Sequence, residues 1–327
     1  MATFGKTTFN TARYAAARPT YPRQLYDFIF KYHESKLGAK WERAVDLGCG
    51  TGQATTELTP FRHIIGVDPS AKMIDQARAS ISALPPDAKL LQGTKVEFVQ
   101  SAAEDLKFLG DGSVDLLVAA QACHWFDWNR MWPEAKRVLR KGGSVAFWGY
   151  SEFRLSHHPR LTPLIHAYAQ GSDPATSLGP HWEQPGRRIV DGHLMGVPEP
   201  WVVTGAGEKG EGEGEGWEDF RRVFWVGSHH PSLPTPHLPI LLRKRMSWSS
   251  LLDYLGSFSS LHTFKQRYPE DEGKEGGGIE RRFLGVLREG VREDLEREGG
   301  QGEGEGEGEG EEVDVEWPMA VILVRRA

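Results

Sequence analysis

Three glycines and an acid stand together in VDLGCGTGQAT, from Val45 to Thr55. Gly48, Gly50 and Gly52 follow an apolar run and precede a segment of helical character. A glycine removes the side chain that would keep a ligand off the backbone. In open parallel sheets, ligands sit at the carboxyl ends of the strands, where such a loop belongs. The pattern here is G-x-G-x-G, and Asp46 lies two residues ahead of the first glycine. A dinucleotide fingerprint reads G-x-G-x-x-G and places a pyrophosphate over a helix N-terminus. A carboxylate at Asp46 would repel that pyrophosphate. It suits a cationic ligand, or one carrying an ammonium group.

A second acid closes the next apolar run. Asp68, in GVDPSAKMI, lies 22 residues after Asp46. An acid at that place can accept both hydroxyls of a ribose. An amino acid joined to a ribose, with positive charge between them, describes S-adenosylmethionine. Neither cysteine adds chemistry: Cys49 and Cys123 read as small residues of a packed interior. The pairs His157-His158 and His229-His230 lie beside proline and lack the i, i+4 spacing of a helical zinc site, so no metal is expected. Trp125, Trp128 and Trp132 are spaced i, i+3 and i+7, which puts them on one side of a helix. Trp128 and Trp132 are expected to pack on a sheet, and Trp125 to line a pocket.

The elements that position these residues alternate. Strands are expected at 43–47, 63–67, 95–100, 114–120 and 144–149. Helices are expected from Pro22 onward with Leu25, Phe28, Ile29 and Tyr32 inward, at 52–59, after a Ser70 cap, and at 128–140 ahead of Gly142 and Gly143. The run VDLLVAA is apolar enough to be buried on both faces of a parallel sheet. In the second half, Ser247 caps a helix with Leu251, Leu255 and Phe258. A longer helix spans 279–298 with Ile279, Phe283, Leu287, Val291 and Leu295 inward, and Met319 to Val324 is a strand. The expected fold is α/β: a Rossmann-like, doubly wound, mostly parallel sheet with an inserted helical cap. Its parts are an N-terminal segment and helix over the cofactor (1–42), a cofactor-binding core (43–150), a cap with insertions (151–312) and a terminal strand that rejoins the sheet (313–327).

Composition narrows the class. The chain has 327 residues, 39% hydrophobic and 26% charged, enough to bury a sizeable core. Its net charge of −6 comes from two Gly-Glu tracts, 208–216 at −3 and 301–312 at −6, so the remainder carries +3. The tracts have nothing to bury and read as flexible loops. A near-neutral folded part lacks the dense basic face of a nucleic-acid binder. No apolar run approaches the roughly 20 residues of a membrane span. Two cysteines exclude a disulfide framework, and a reducing, cytoplasmic setting is expected.

Residues 43–149 resemble the core of a class I S-adenosylmethionine-dependent methyltransferase. The glycine loop resembles that family's first motif, and Asp68 its ribose-binding acid. SAAEDL, Ser101 to Leu106, resembles the segment beside the adenine, with Ala103 and Glu104 at the matching positions. YAAARPTYP (Tyr14 to Pro22), AQACHWFD (Ala120 to Asp127) and SLLDYLGSFSSLHTFKQRYPED resemble the fungal trans-aconitate methyltransferase-like group. That resemblance implies a seven-stranded sheet and a cap over the substrate. It places Tyr14, Arg18 and Gln121 among the cofactor-binding residues.

The implied reaction is transfer of a methyl group to a small molecule, most simply a carboxylate of an organic acid. A carboxylate is a nucleophile at neutral pH, since its pKa is about 4.3. A phenol or alcohol would need a base, for which His124 is the residue after the fourth strand. The rival role for His124 is to line the pocket. Arg18, Arg187 and Arg188 are cations that could grip a carboxylate. Two other classes stay open: a nicotinamide-dependent oxidoreductase, which the glycine spacing and Asp46 oppose, and a non-catalytic cofactor-binding interaction protein. QACHWF also departs from the Asn/Asp-Pro-Pro-Tyr/Phe type used on bases and amides.

Overall fold

The computed structural model describes residues 17–85, 93–204, 216–297 and 312–327. In chain order they form α1 (Arg23–Glu34), β1 (Arg43–Leu47), β2 (His63–Asp68), α2 (Ala71–Ser82), β3 (Lys95–Gln100), β4 (Val114–Ala120), α3 (Trp128–Val138) and β5 (Leu139–Tyr150). There follow β6 (Arg154–Leu155), α4 (Thr162–Gln170), α5 (Gly186–Asp191), α6 (Pro200–Thr204), β7 (Trp217–Trp225), β8 (His237–Leu238) and β9 (Leu242–Ser247). Helices α7 (Trp248–Gly256), α8 (Ser259–Arg267) and α9 (Ile279–Arg297), then β10 (Glu312–Trp317) and β11 (Met319–Arg326), complete the described chain.

The principal sheet has the order β3-β2-β1-β4-β5-β11-β7-β8. Its first five strands are parallel, and β11 runs antiparallel between β5 and β7. From β1 the chain works outward to β3, then returns to the other side of β1 for β4 and β5. The order therefore reverses at β1 and β4, and their carboxyl ends open a crevice. Strand β4 is buried along VDLLVA, as a doubly covered strand must be. Helix α1 buries Leu25, Tyr26, Ile29, Phe30, Tyr32 and His33, one face of a 3.6-residue repeat. The Ser70 hydroxyl accepts the Met73 N–H at the start of α2, the cap that its sequence position predicts.

Several expectations need correction. The sheet has eight strands rather than seven, because the two-residue β8 pairs with β7 beyond the expected edge. Residues 52–59 make only a 3₁₀ turn, Thr55–Glu57. Gly52 is left-handed (φ 88°), which excludes it from a right-handed helix. Helix α3 stops at Val138, because Leu139 already pairs with Val114 as the start of β5. Trp125 belongs to a separate 3₁₀ turn, Cys123–Trp125, so the three tryptophans do not share one helix. On α9, Leu295 is half exposed rather than inward, and the buried residue of that turn is Asp294.

The chain divides into two compact units. The larger contains Thr20–Ser151, Pro185–Leu241 and Pro318–Ala327, and with them the whole principal sheet. The expected cap of 151–312 is thus too broad. Pro185–Leu241 joins the sheet unit because β7 pairs with β11 from Met319↔Trp225 to Arg326↔Trp217. The smaller unit contains Glu152–Gln184, Leu242–Trp317 and, at the start of the described chain, residues 17–19. Its antiparallel sheet has the order β6-β10-β9, so 313–317 belongs here, and only the segment from Pro318 rejoins the principal sheet. In its core the Tyr168 and Phe283 rings stack at 3.9 Å, and the Trp317 indole N–H donates to the Tyr254 hydroxyl at 2.9 Å. Of the tracts 208–216 and 301–312, all but Gly216 and Glu312 lie outside the described residues.

Candidate functional site

The turn after β1 needs its glycines for three different reasons. All of Gly48, Gly50 and Gly52 have left-handed φ, at 67°, 55° and 88°. A side chain at Gly48 would place its Cβ 2.5 Å from the Ala122 Cβ, so the loop after β1 and the loop after β4 touch there. A Cβ at Gly52 would meet Ala77 and Phe98 at 3.4 Å. At Gly50 a Cβ would meet no atom of the described residues within 4 Å. Among the described residues the backbone of Gly50 thus borders open space, the cradle a ligand needs. The loop is tied to β2 by Cys49 N–H donating to the Val67 carbonyl at 2.9 Å.

Asp46 is fully buried under this loop. Its Oδ2 accepts from the Thr55 hydroxyl at 2.6 Å. Its Oδ1 is buried with no hydrogen-bond partner among the described residues. Burial pushes the carboxyl up to about 7, against the Thr55 bond, and the Asp68 charge adds to the rise. Two more buried hydroxyls, Tyr26 Oη on α1 and Thr51 Oγ1 in the loop, also lack a hydrogen-bond partner among the described residues. Burial, followed by the charges of Glu57 and Asp46, raises the Tyr26 phenol well above its ordinary range. A buried acid with an open oxygen is stabilised most by a cation that donates hydrogen bonds.

Asp68, at the end of β2, accepts from Gly50 N–H at 3.0 Å through Oδ2 and from Ser70 N–H at 2.8 Å through Oδ1. Burial raises its carboxyl, and these two backbone bonds oppose the rise. A carboxylate offers about four acceptor positions, so two remain for the hydroxyls of a ribose. The open Oδ1 of Asp46, the cradle at Gly50 and the spare acceptors of Asp68 fit the ammonium and ribose of S-adenosylmethionine.

The other expected site residues sort differently. Ala103 is buried in the core beneath the sheet end. Glu104 accepts the Asp127 N–H at 2.8 Å, so one carboxylate oxygen holds the start of α3. Gln121 has φ 53°, and its carboxamide is occupied on both sides: Nε2 donates to the Tyr150 carbonyl at 2.9 Å, and Oε1 accepts the Tyr150 N–H at 2.8 Å. It clamps the end of β4 to the end of β5. His124 is buried in the 3₁₀ turn after β4, its ring 4.9 Å from the ring of Trp125. Trp125 is half-buried and lies against α5, where a Cβ at Gly186 would come within 2.7 Å of its ring. Trp132 is fully buried against Trp217 and Phe147, and Trp128 packs on the same cluster.

Arg18 falls in the smaller unit, where it donates to the Ser257 carbonyl at 3.2 Å and lies 5.5 Å over the rings of Tyr254 and Phe258. Tyr14 lies outside the described residues. Arg187 is paired with Asp191 at 2.9 Å along α5, and Arg188 is exposed on the same helix. Both cysteines are buried thiols; burial pushes Cys123 up to about 12 and raises Cys49 well above the ordinary thiol range, so neither is a nucleophile. Among the described residues, no three His, Cys, Asp or Glu side chains are grouped to hold a metal ion, and no helix is long and apolar enough to cross a membrane. Sequence reasoning missed Thr55 and Tyr26. The first is legible only as a hydroxyl nine residues after Asp46, and the second carries no local signal, since it comes from a different element.

Residues 45–147 match the methyltransferase domain family. Over 166 residues the chain is 32% identical to "Probable S-adenosylmethionine-dependent methyltransferase CRG1" of Saccharomyces cerevisiae, covering 50% of this chain and 54% of that protein. Over 154 residues it is 40% identical to an uncharacterized methyltransferase of Mycobacterium bovis, covering 46% and 55%. The chain thus spans little more than half the length of these relatives. A solved structure from Anaeromyxobacter dehalogenans, described as a type II methyltransferase, superimposes with a TM-score of 0.59 at 25% identity, covering 94% of this chain and 97% of that one. The fold is the Rossmann-like α/β fold of the methyltransferases.

Proposed function

We propose that this chain, whose residues 45–147 match a methyltransferase domain, is an S-adenosylmethionine-dependent methyltransferase that methylates a carboxylate oxygen of a small organic acid. One observation carries the cofactor: a fully buried Asp46 with an open oxygen stands beside a left-handed Gly50 whose missing Cβ leaves space. Bound there, S-adenosylmethionine supplies a methyl group already activated on a sulfonium. Asp46 Oδ1 holds the ammonium, and Asp68 holds the ribose hydroxyls. Thr55 and the Gly50 N–H keep the two carboxylates oriented.

The chain's contribution to rate is then alignment. Positioning two reactants in line is worth roughly 7–11 kcal/mol. An acid acceptor needs no base, because it is ionised at neutral pH. The acceptor lies by the carboxyl ends of β4 and β5, where Trp125 is half-buried and His124 stands behind it. The resemblance to the trans-aconitate group supports an acid, as does the cation on α5 at Arg188. A phenolic acceptor is the second reading, favoured by an imidazole at His124 within the strand-end turn. We place the protein in the cytoplasm with a small molecule as its partner, since both cysteines are free thiols.

Calorimetric titration with S-adenosylmethionine and with NADH tests the cofactor: micromolar binding of the first alone is expected. Release of S-adenosylhomocysteine with di- and tricarboxylic acids, then with phenols, tests the acceptor. Turnover of phenols alone would replace the acid with the second reading.

A further inference from the structure

Four described non-glycine residues have left-handed φ: Gln121 at 53°, His193 at 50°, Leu194 at 60° and Asp219 at 55°. Such backbone costs free energy in any residue with a Cβ, and it gathers at functional sites. Three of the four meet at the carboxyl end of β5. A Cβ built on Gly149 would come within 2.9 Å of Gln121 Oε1 and 3.5 Å of Leu194 Cδ2. One turn further, His193 Nε2 lies 3.1 Å from Ser151 Oγ.

The turn at His193 and Leu194 follows α5 and carries two backbone bonds, His193 N–H to Val190 O and Leu194 N–H to Ile189 O, both at 2.9 Å. Glycine at 193 would make the same turn without strain. The left-handed backbone at 193 instead carries an imidazole. Its ring is buried, with the His230 ring 4.1 Å away and tilted by 57°. Ser151 is buried as well, its N–H fixed on the Pro318 carbonyl at 2.9 Å, while its hydroxyl reaches that carbonyl only at 3.5 Å. In the tautomer that protonates His193 Nε2, Oγ accepts from that N–H and the hydroxyl can turn its proton toward a better acceptor than Pro318 O. Helix α5 joins this pair to Trp125, since its first residue packs on that ring and its last is two residues from His193.

We propose that Ser151 and His193 form the polar part of the acceptor subsite: the Ser151 hydroxyl donates to an acceptor carboxylate, and His193 orients that hydroxyl. This rests on the acid-methylating reading above. Ser151 is the acceptor-binding residue, and His193 is a positioning residue that acts through it.

The test uses Ser151→Ala, Ser151→Thr and His193→Gly in the full chain. It measures S-adenosylhomocysteine release against the concentration of trans-aconitate and other di- and tricarboxylic acids, with phenols as controls. Ser151→Ala and His193→Gly are expected to raise KM for the acid about tenfold, the loss of one hydrogen bond to a charged group. The kcat and the calorimetric affinity for S-adenosylmethionine stay within about twofold of the wild type if only acceptor binding is touched. Ser151→Thr keeps the hydroxyl and restores KM. Glycine relieves the left-handed φ at 193 but also removes a buried ring, so the unfolding temperature of His193→Gly is measured beside its KM. An unchanged KM in both variants, with the wild type turning over an acid, overturns this assignment and leaves the proposed function standing. A fall in unfolding temperature with KM unchanged shows a purely structural tie and overturns it too. Wild-type turnover of phenols but of no acid overturns the acid reading and this assignment together.

Discussion

Asp46→Asn separates the two demands that the site places on one carboxylate. The wild-type group is fully buried, and burial lifts it from the ordinary 3.8 to about 7. At about 1.4 kcal/mol per pH unit, that gap is worth roughly 4 kcal/mol. The sign follows from proton counting. Between about pH 4 and pH 7 the folded protein without ligand holds a proton on Asp46 that the unfolded chain has released. Asp46's contribution to stability is therefore fully present below pH 4 and is lost as pH rises to 7. The value of about 7 already contains the Thr55 bond to the charged carboxylate, so an asparagine removes the whole loss. Asp46→Asn is thus expected to be near neutral at about pH 4 and more stable than wild type by about 4 kcal/mol at about pH 8. Its affinity for S-adenosylmethionine moves the other way, falling by about tenfold to a hundredfold, because the ammonium loses a charged partner. Urea unfolding at both pH values, paired with calorimetry in two buffers of different ionisation enthalpy, reads both effects. The wild type should release a proton on binding at pH 6 and bind more tightly at pH 8. A variant less stable than wild type at pH 8, or one that binds the cofactor equally well, would refute the reasoning.

The same geometry makes three other tests. Asp68→Ala removes the spare acceptors for the ribose and the tethers of Gly50 and Ser70, so cofactor affinity falls about tenfold to a hundredfold at roughly 1.5–3 kcal/mol per charged bond; unchanged calorimetric affinity would exclude it from the site. Gly50→Ala and Gly48→Ala share left-handed φ but differ in surroundings. The first is expected to cost about 1–2 kcal/mol of stability yet abolish most binding, whereas the second meets Ala122 and is expected to lower the unfolding temperature sharply. Equal stabilities for the pair would contradict the contact at Ala122. Gln121→Ala strips both side-chain bonds from the Tyr150 backbone and is expected to cost about 1–3 kcal/mol, with a smaller effect on cofactor affinity; the reverse ranking in unfolding and calorimetry would return Gln121 to the cofactor.

The cofactor loop was legible because its causes are local. Left-handed turns at Gly48, Gly50 and Gly52 are matters of single residues, and the Ser70 cap is settled within three positions. The apolar runs of β1, β2 and β4, and the acids that follow from their places at the strand ends, need only a two-residue or a doubly buried pattern. Where distant segments meet is a different kind of information. Strand β7 is a polar-looking stretch, WEDFRRVFW, until it pairs with β11, and that pairing moves Pro185–Leu241 out of the expected cap. The bonds of the Gln121 amide to both backbone groups of Tyr150 join residues 29 positions apart. Ser151 and His193 stand 42 residues apart, and neither lies in a recognisable motif. The sequence alone determined the glycine loop, its two acids and the parallel core, because backbone preferences and burial periodicity act over a few residues. Only the tertiary structure decided which polar groups are left open and which are already occupied. That depends on the register of strands brought together from far apart, and no local preference encodes it.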